Sequence, residues 1–270
     1  MLSQKVGKLF WIVIISYGMT SNLFADTVDD PCGGDSGLLN IVDRPTVGDS
    51  ACVVPSKKSV LELGYQYQKL TQSAASQQNF PEAEFRLGLP ANNELVLLLP
   101  NYNHQSVTPH SGLSATAIGI KHEIGYTKTW LAAVESLFTL PSGSAAFGSQ
   151  SMGVAVNGIV NYTFNPTFSL SFMLGASTQA QSSLNGGQHF TSVNPDLVLT
   201  YVLNPKVNFY GEAYGQSKTG PGQGGGYNVD GGILYLPLPN LAVDFEVGQR
   251  VTGQLGGFNH YVGAGMAIEM

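Results

Sequence analysis

From Ser59 onward, apolar and polar residues alternate with a period of two. Leu61, Leu63, Tyr65 and Tyr67 share one parity, and Glu62, Gly64, Gln66 and Gln68 share the other. Ala83, Phe85, Leu87 and Leu89 oppose Glu82, Glu84, Arg86 and Gly88 in the same way. Phe168, Leu170, Phe172 and Leu174 oppose Ser169, Ser171, Met173 and Gly175, and Leu241, Val243, Phe245 and Val247 oppose Ala242, Asp244, Glu246 and Gly248. Successive side chains of an extended strand point to opposite faces, whereas a helical period of 3.6 would mix these sets. The pattern predicts twelve strands at 59–69, 81–90, 93–101, 113–125, 129–140, 150–162, 167–177, 190–202, 206–215, 227–236, 241–250 and 258–270. In 113–125 and 206–215, Ala and Gly occupy both faces and leave the register open.

The connections fall into two kinds. Pro90-Ala91-Asn92, Tyr126-Thr127-Lys128, Phe164-Asn165-Pro166, Leu203-Asn204-Pro205 and Pro237-Leu238-Pro239-Asn240 read as tight turns. Each joins an even-numbered strand to the next odd one. The connections 70–80, 102–112, 141–149, 178–189, 216–226 and 251–257 are longer and rich in Ser, Gln, Gly and Asn. Tight turns at one end and long loops at the other are the layout of an up-and-down transmembrane antiparallel β-barrel, with periplasmic turns and extracellular loops. An even strand count then places both termini in the periplasm. Closure is required because apolar-faced strands with open edges would aggregate, and because lipid offers no partner to an unpaired backbone group. Tyr126 and Trp130, Tyr162 and Phe168, Tyr201 and Phe209, and Tyr235 flank the short turns, where amphipathic rings favour the headgroup level. The alternation of Val262, Ala264, Met266, Ile268 and Met270 runs to the last residue, although bacterial barrels usually finish on an aromatic one.

Composition fits a wall facing lipid. Only 11% of the 270 residues are charged, against about 25% in an ordinary soluble domain, while 43% are hydrophobic. This combination argues against disorder, and a formal charge of −6 argues against a nucleic-acid partner.

The first 25 residues carry the three parts of a secretory signal: Lys5 and Lys8, the short apolar run Leu9 to Tyr17, and a small residue at Ala25. The run is about half of the roughly 20 residues that a spanning helix needs. Cleavage after Ala25 removes two of the 12 basic residues and leaves 10 against 18 acidic ones, net −8. Export allows Cys32 and Cys52 to oxidise, and a disulfide closing a loop of about 20 residues contributes roughly 3 kcal/mol by the loop-entropy estimate. Residues 26–58 lack the alternation and form an N-terminal periplasmic or plug segment ahead of the barrel, 59–270. Leu38, Leu39, Ile41 and Val42 in it need an apolar partner.

The parity opposite the apolar one lines a lumen. It carries Glu62, Glu82, Glu84, Glu94, Glu123, Glu135, Asp196, Asp230, Asp244 and Glu246 against Arg86 and Lys121. Two readings stand at this point: a structural network filling the interior, or a pathway that disfavours anions and accepts cations or neutral solutes. No catalytic residue, metal site or cofactor is expected. Two thiols without nearby His offer half a zinc shell, and the glycines of Gly220 to Gly226 do not open a helix after a strand. His104 and His110 lack the serine context of outer-membrane phospholipases, and His189 lacks the adjacent Asp of omptin-type proteases.

Asn40 to Pro55 (NIVDRPTVGDSACVVP), the first strand LELGYQYQ, FRLGLPANNELVL, IGIKHEIG and LAAVESLFTLPSGS resemble the outer-membrane β-barrel family named for a meta-pathway of phenol degradation. The resemblance spans about residues 40–270 and implies a transporter of aromatic or other small hydrophobic compounds. The expected protein is therefore an outer-membrane channel for passive passage of small solutes, embedded in outer-membrane lipid and inserted by the barrel-assembly machinery. The alternative is a non-conducting surface protein with a plugged barrel.

Overall fold

The computed structural model describes residues 30–34, 36–71 and 75–270; the signal sequence expected at 1–25 lies outside them. One short helix, α1 (Gly37–Ile41), precedes β1 (Ser59–Leu70), β2 (Ser76–Phe80), β3 (Glu84–Leu89), β4 (Asn93–Leu98), β5 (Tyr102–Gln105) and β6 (Ser111–Leu113). Then come β7 (Ala117–Tyr126), β8 (Trp130–Thr139), β9 (Gly153–Asn165), β10 (Phe168–Ala180), β11 (His189–Asn204), β12 (Val207–Gln216), β13 (Gly226–Leu238), β14 (Leu241–Thr252) and β15 (Phe258–Glu269).

All pairing is antiparallel, and β1 pairs with β15 from Val60↔Glu269 to Leu70↔Phe258, which closes the sheet. The closed ring runs β1, β3, β4 and then β7 through β15, twelve strands in all. The three others, β2, β5 and β6, continue β3, β4 and β7 beyond breaks at 81–83, 99–101 and 114–116. Pro81 and Pro100 sit in two of these breaks, where a residue without an N–H cannot continue a ladder. Gly64 N–H reaches across to Pro81 O, and Leu99 N–H to Ala83 O at 2.9 Å, so the wall stays hydrogen-bonded through the kink.

Two expectations are corrected here. Residues 70–80 and 102–112 are not loops throughout: β2 and β5 pair in register from Gln77↔Gln105 to Phe80↔Tyr102. Their sequences, SQQNF and YNHQ, are polar on both parities, so no alternation marks them. The second predicted strand begins at Glu84 rather than at 81, and Ala83, expected on the outward parity, is buried in the break.

The pleat sorts the remaining side chains. On β7, Ala117, Gly119, Lys121 and Glu123 are buried while Ile118, Ile120, His122 and Ile124 are exposed, which settles the register left open there. On β12, Asn208, Tyr210, Glu212 and Tyr214 are buried while Phe209 and Ala213 are exposed. Outward apolar side chains such as Phe172, Leu174, Leu199 and Phe245 are 40–50% exposed. A band of this kind is far larger than the apolar patches that soluble surfaces tolerate. Outward rings collect near the short turns, with Phe168 and Tyr201 at 5.1 Å and Tyr162 and Phe164 at 5.1 Å between centroids.

Inside, the half of the barrel nearer the short turns holds an apolar cluster. Leu38, Leu39 and Ile41 of α1 are buried there in one cluster with Leu131, Ile159, Val198 and Leu234 of the wall. Each such side chain removed from water contributes roughly 1.5–3 kcal/mol, which gives this five-residue helix a place it could not hold alone. Cys32 and Cys52 are joined in a disulfide that ties the start of the segment to its return limb, with Cα atoms 5.5 Å apart. Because Leu174 faces outward in mid-strand, Leu174→Arg is expected to cost about 2–4 kcal/mol in urea-dependent folding into lipid vesicles, with native barrel structure otherwise kept.

Candidate functional site

Strand alternation and closure bring the inward charges of distant strands to one level, and residues 41–54 cross the barrel at that level. Arg86 of β3 has no solvent exposure, and every one of its nitrogen groups is partnered. Its Nε and Nη2 donate to the two carboxylate oxygens of Glu94 on β4 at 2.9 and 3.1 Å. Nη1 donates to Glu62 Oε1 at 3.1 Å and to the carbonyl of Ile41 at 2.5 Å, and Nη2 also reaches the carbonyl of Cys52 at 3.2 Å. Asp43 Oδ2 stands 3.1 Å from Nη1 and also receives Lys121 Nζ of β7 at 2.9 Å. Glu62 and Glu94 in turn accept backbone N–H groups of the segment, from Asp43 at 3.1 Å, Arg44 at 2.8 Å and Val54 at 2.6 Å. Wall and segment therefore satisfy each other, as buried charge requires.

A second group surrounds Arg44. Its Nη1 donates to Glu82 at 2.9 Å, and Nη2 lies 3.3 Å from Asp244 and 3.7 Å from Glu246 of β14. Burial works against the guanidinium charge, yet Asp244, Glu82 and Glu246 together hold it above its ordinary range. The guanidinium lies on Gly64 of β1 and Gly265 of β15, which are cross-strand partners. A methyl group on either would stand 2.2 to 2.4 Å from an Arg44 nitrogen, so the slot exists only because both residues are glycine.

A third group holds the tip of the segment. Glu212 of β12 accepts the N–H groups of Val47 at 2.9 Å and Gly48 at 2.8 Å. Asp196 of β11 packs so closely on Gly48 that a methyl there would stand 2.7 Å from its oxygen, and Asp230 of β13 accepts Tyr261 Oη at 2.5 Å. Glu135 of β8 accepts Asn157 Nδ2 at 3.0 Å, and the same amide faces Asp49 at 3.5 Å. Burial pushes the Asp49 carboxyl well above the usual carboxylate range, and the Glu135 charge adds to the shift.

All twelve charged positions expected on the inner parity thus have a place in the structure. Glu62, Arg86, Glu94, Lys121, Glu123, Glu135, Asp196 and Glu246 are buried, and Glu82, Glu84, Asp230 and Asp244 are partly so. Glu123 stands apart from the three groups, near the short turns, with Asn92 Nδ2 at 3.3 Å. The Glu84 side chain makes no hydrogen bond or ion pair among the described residues. Four residues of the site carried no signal that alternation could detect. Glu212 lies in a strand whose Ala and Gly hide the parity, and Asp43, Arg44 and Asp49 lie in a segment without periodicity.

Two cavities flank the tip. One of about 350 Å³ lies toward the short turns and is bounded by Pro45, Thr46 and the inward residues of β9 to β12. The other, about 530 Å³, lies toward the long loops and is bounded by Glu82, Glu84, Glu246, Tyr214 and Tyr261. Arg44, Pro45, Thr46 and Asp49 line both. No group of His, Cys, Asp and Glu among the described residues is arranged to hold a metal ion.

A closed twelve-stranded barrel, apolar outside and charged within, is the architecture of outer-membrane β-barrel proteins. The chain belongs to the family described as "Putative MetA-pathway of phenol degradation", which matches residues 42–266. An outer membrane channel from Pseudomonas putida F1 shares the fold at a TM-score of 0.66 and 10% identity, covering 83% of this chain and 100% of that one. The NanC porin aligns at 0.54 and 11% identity, covering 78% and 100%. The KdgM porin aligns at 0.51 and 10% identity, covering 77% and 98%. No curated protein matches the sequence significantly.

Arg86→Ala would leave Glu62 and Glu94 buried without their guanidinium. Loss of one partner from such a buried set is expected to lower stability by about 3–5 kcal/mol, read as a shift in the urea midpoint of the refolded barrel.

Proposed function

We propose that the protein is an outer-membrane channel through which small solutes pass passively, with the short turns and both termini in the periplasm and the long loops outside. The observation that carries the reading is the pair of cavities meeting at Arg44 to Asp49. The tip of the N-terminal segment is then the narrowest part of the path, and the residues lining both cavities are the ones a solute passes. Eleven inward acids, Glu212 among them, against Arg86, Lys121 and Arg250 favour cations and neutral molecules over anions. The family name points to phenols, and Leu39, Val42, Leu131, Val198 and Leu234 on the short-turn cavity offer apolar contact to a neutral ring. Barrel insertion by the assembly machinery and a lipid surround belong to the same reading. No chemistry of bond making is assigned to it.

The contacts that hold the segment also favour a second reading, a plugged and non-conducting surface protein, since Arg44, Asp43 and the Val47 amide are all fixed to the wall. Planar-bilayer recording separates the two. A channel gives discrete conductance steps from the unaltered protein and larger steps from Glu212→Gln, which weakens the hold on the tip. A protein that gives no steps and no solute-driven liposome swelling is the plugged form.

A further inference from the structure

The cavity on the long-loop side has a chemical bias that the passive-channel reading does not explain. Among its lining residues the buried polar atoms without a partner are Asn228 Oδ1, Asn101 Oδ1 and Arg44 Nε. The first two are acceptors, and the third is turned onto Gly265. Glu246 is 3% exposed and its side chain makes no hydrogen bond among the described residues; its ion pair is with Arg44 at 3.7 Å, at the outer limit for such a contact. Glu84 adds a second carboxylate, this one with no side-chain partner among the described residues. Aromatic rings stand beside these acceptors on the same stretch of wall: Phe258 and Tyr261 meet edge to face with centroids 5.0 Å apart, Tyr261 pairs with Gly248 two residues from Glu246, and Tyr214 is the cross-strand partner of Asn228. Carboxylates and unfilled buried acceptors set beside aromatic rings are matched by a molecule that donates hydrogen bonds, carries positive charge and has an apolar body.

The chain already supplies one such group. Arg44 presents a guanidinium to Glu82, Asp244 and Glu246 from the tip of the segment, and it lies on glycines rather than on side chains that would lock it. We propose that this cavity is a binding site for small organic cations, an ammonium or guanidinium head on a ring or short apolar body, and that Arg44 is its tethered occupant. The proposal rests on the channel reading and names the solute class which that channel takes up. An incoming cation competes with Arg44 for Glu246 and Glu82, and the tip loses one of its anchors as the site fills. Binding and loosening of the constriction are then the same event, because the two cations cannot share the carboxylates at full strength.

The test is calorimetric titration of the full barrel in detergent micelles with phenethylammonium, with 2-phenylethanol as the neutral probe of similar shape and phenylacetate as the anion. Phenethylammonium is expected to bind at least about tenfold more tightly than 2-phenylethanol, with phenylacetate weakest. Glu246→Gln should bring the cation down to the level of the alcohol. Arg44→Gln should tighten the cation by removing its competitor, and Gly64→Ala, which evicts the guanidinium without replacing any residue of the segment, should do the same. Heat-modifiable gel migration verifies that each variant is a folded barrel. Equal binding of cation and alcohol, no binding of either, or unchanged affinity in Glu246→Gln overturns the site. Conductance is recorded on the same preparations: steps without cation selectivity of binding retire the site and leave the channel, whereas binding without conductance keeps the site and retires the channel.

Discussion

A buried charge must be met by another charge or by hydrogen bonds, and this requirement ties the two parts of the chain together. Arg86 has no access to solvent, so its positive charge persists only because Glu94, Glu62 and Asp43 surround it and two carbonyls take its remaining donors. Two of the carboxylates come from the wall, while Asp43 and both carbonyls come from residues 41–52. The wall alone would hold eleven inward acids, Glu212 among them, against Arg86, Lys121 and Arg250, an arrangement that repels itself in a low dielectric. The segment corrects the imbalance with Arg44 and with a row of backbone N–H groups offered to Glu62, Glu94 and Glu212. Neither the empty wall nor the free segment would be stable in the form seen.

The outer surface follows from the same rule applied to the backbone. Lipid cannot satisfy N–H or C=O groups, so β1 must find β15, and the ladder of eleven partner pairs between them removes the last open edges of the ring. Beyond the breaks at 81–83, 99–101 and 114–116, β2 pairs with β1, β5 with β2 and β6 with β5, and the loop 141–149 covers the free edge of β6 through Ser144 N–H to Leu113 O at 2.9 Å. The kink therefore changes the direction of the wall without leaving its backbone unpaired.

Much of the wall was legible in the sequence because a period of two survives wherever one parity meets lipid. The strands of the ring fall within a few residues of the alternating segments, and the inward acids follow from parity alone. Legibility fails where the physics that produces alternation is absent. Ser76 to Phe80 and Tyr102 to Gln105 form strands at the long-loop end whose two faces are both polar. Glu212 is flanked by Gly211 and Ala213, small residues that fit either face, so its inward position is fixed by pairing with β11 and β13 rather than by composition. Asp43, Arg44 and Asp49 are placed by tertiary contacts across the barrel, to partners as distant in sequence as Asp244, and no local pattern encodes these.

The central claim is that the path through the barrel is governed by its inward carboxylates. It is tested most directly by the reversal potential of single channels under a potassium chloride gradient. A cation-preferring path gives a potential displaced toward the potassium equilibrium value, with a smaller displacement when Glu246 and Glu82 are both replaced by Gln. A potential displaced toward the chloride value would contradict it.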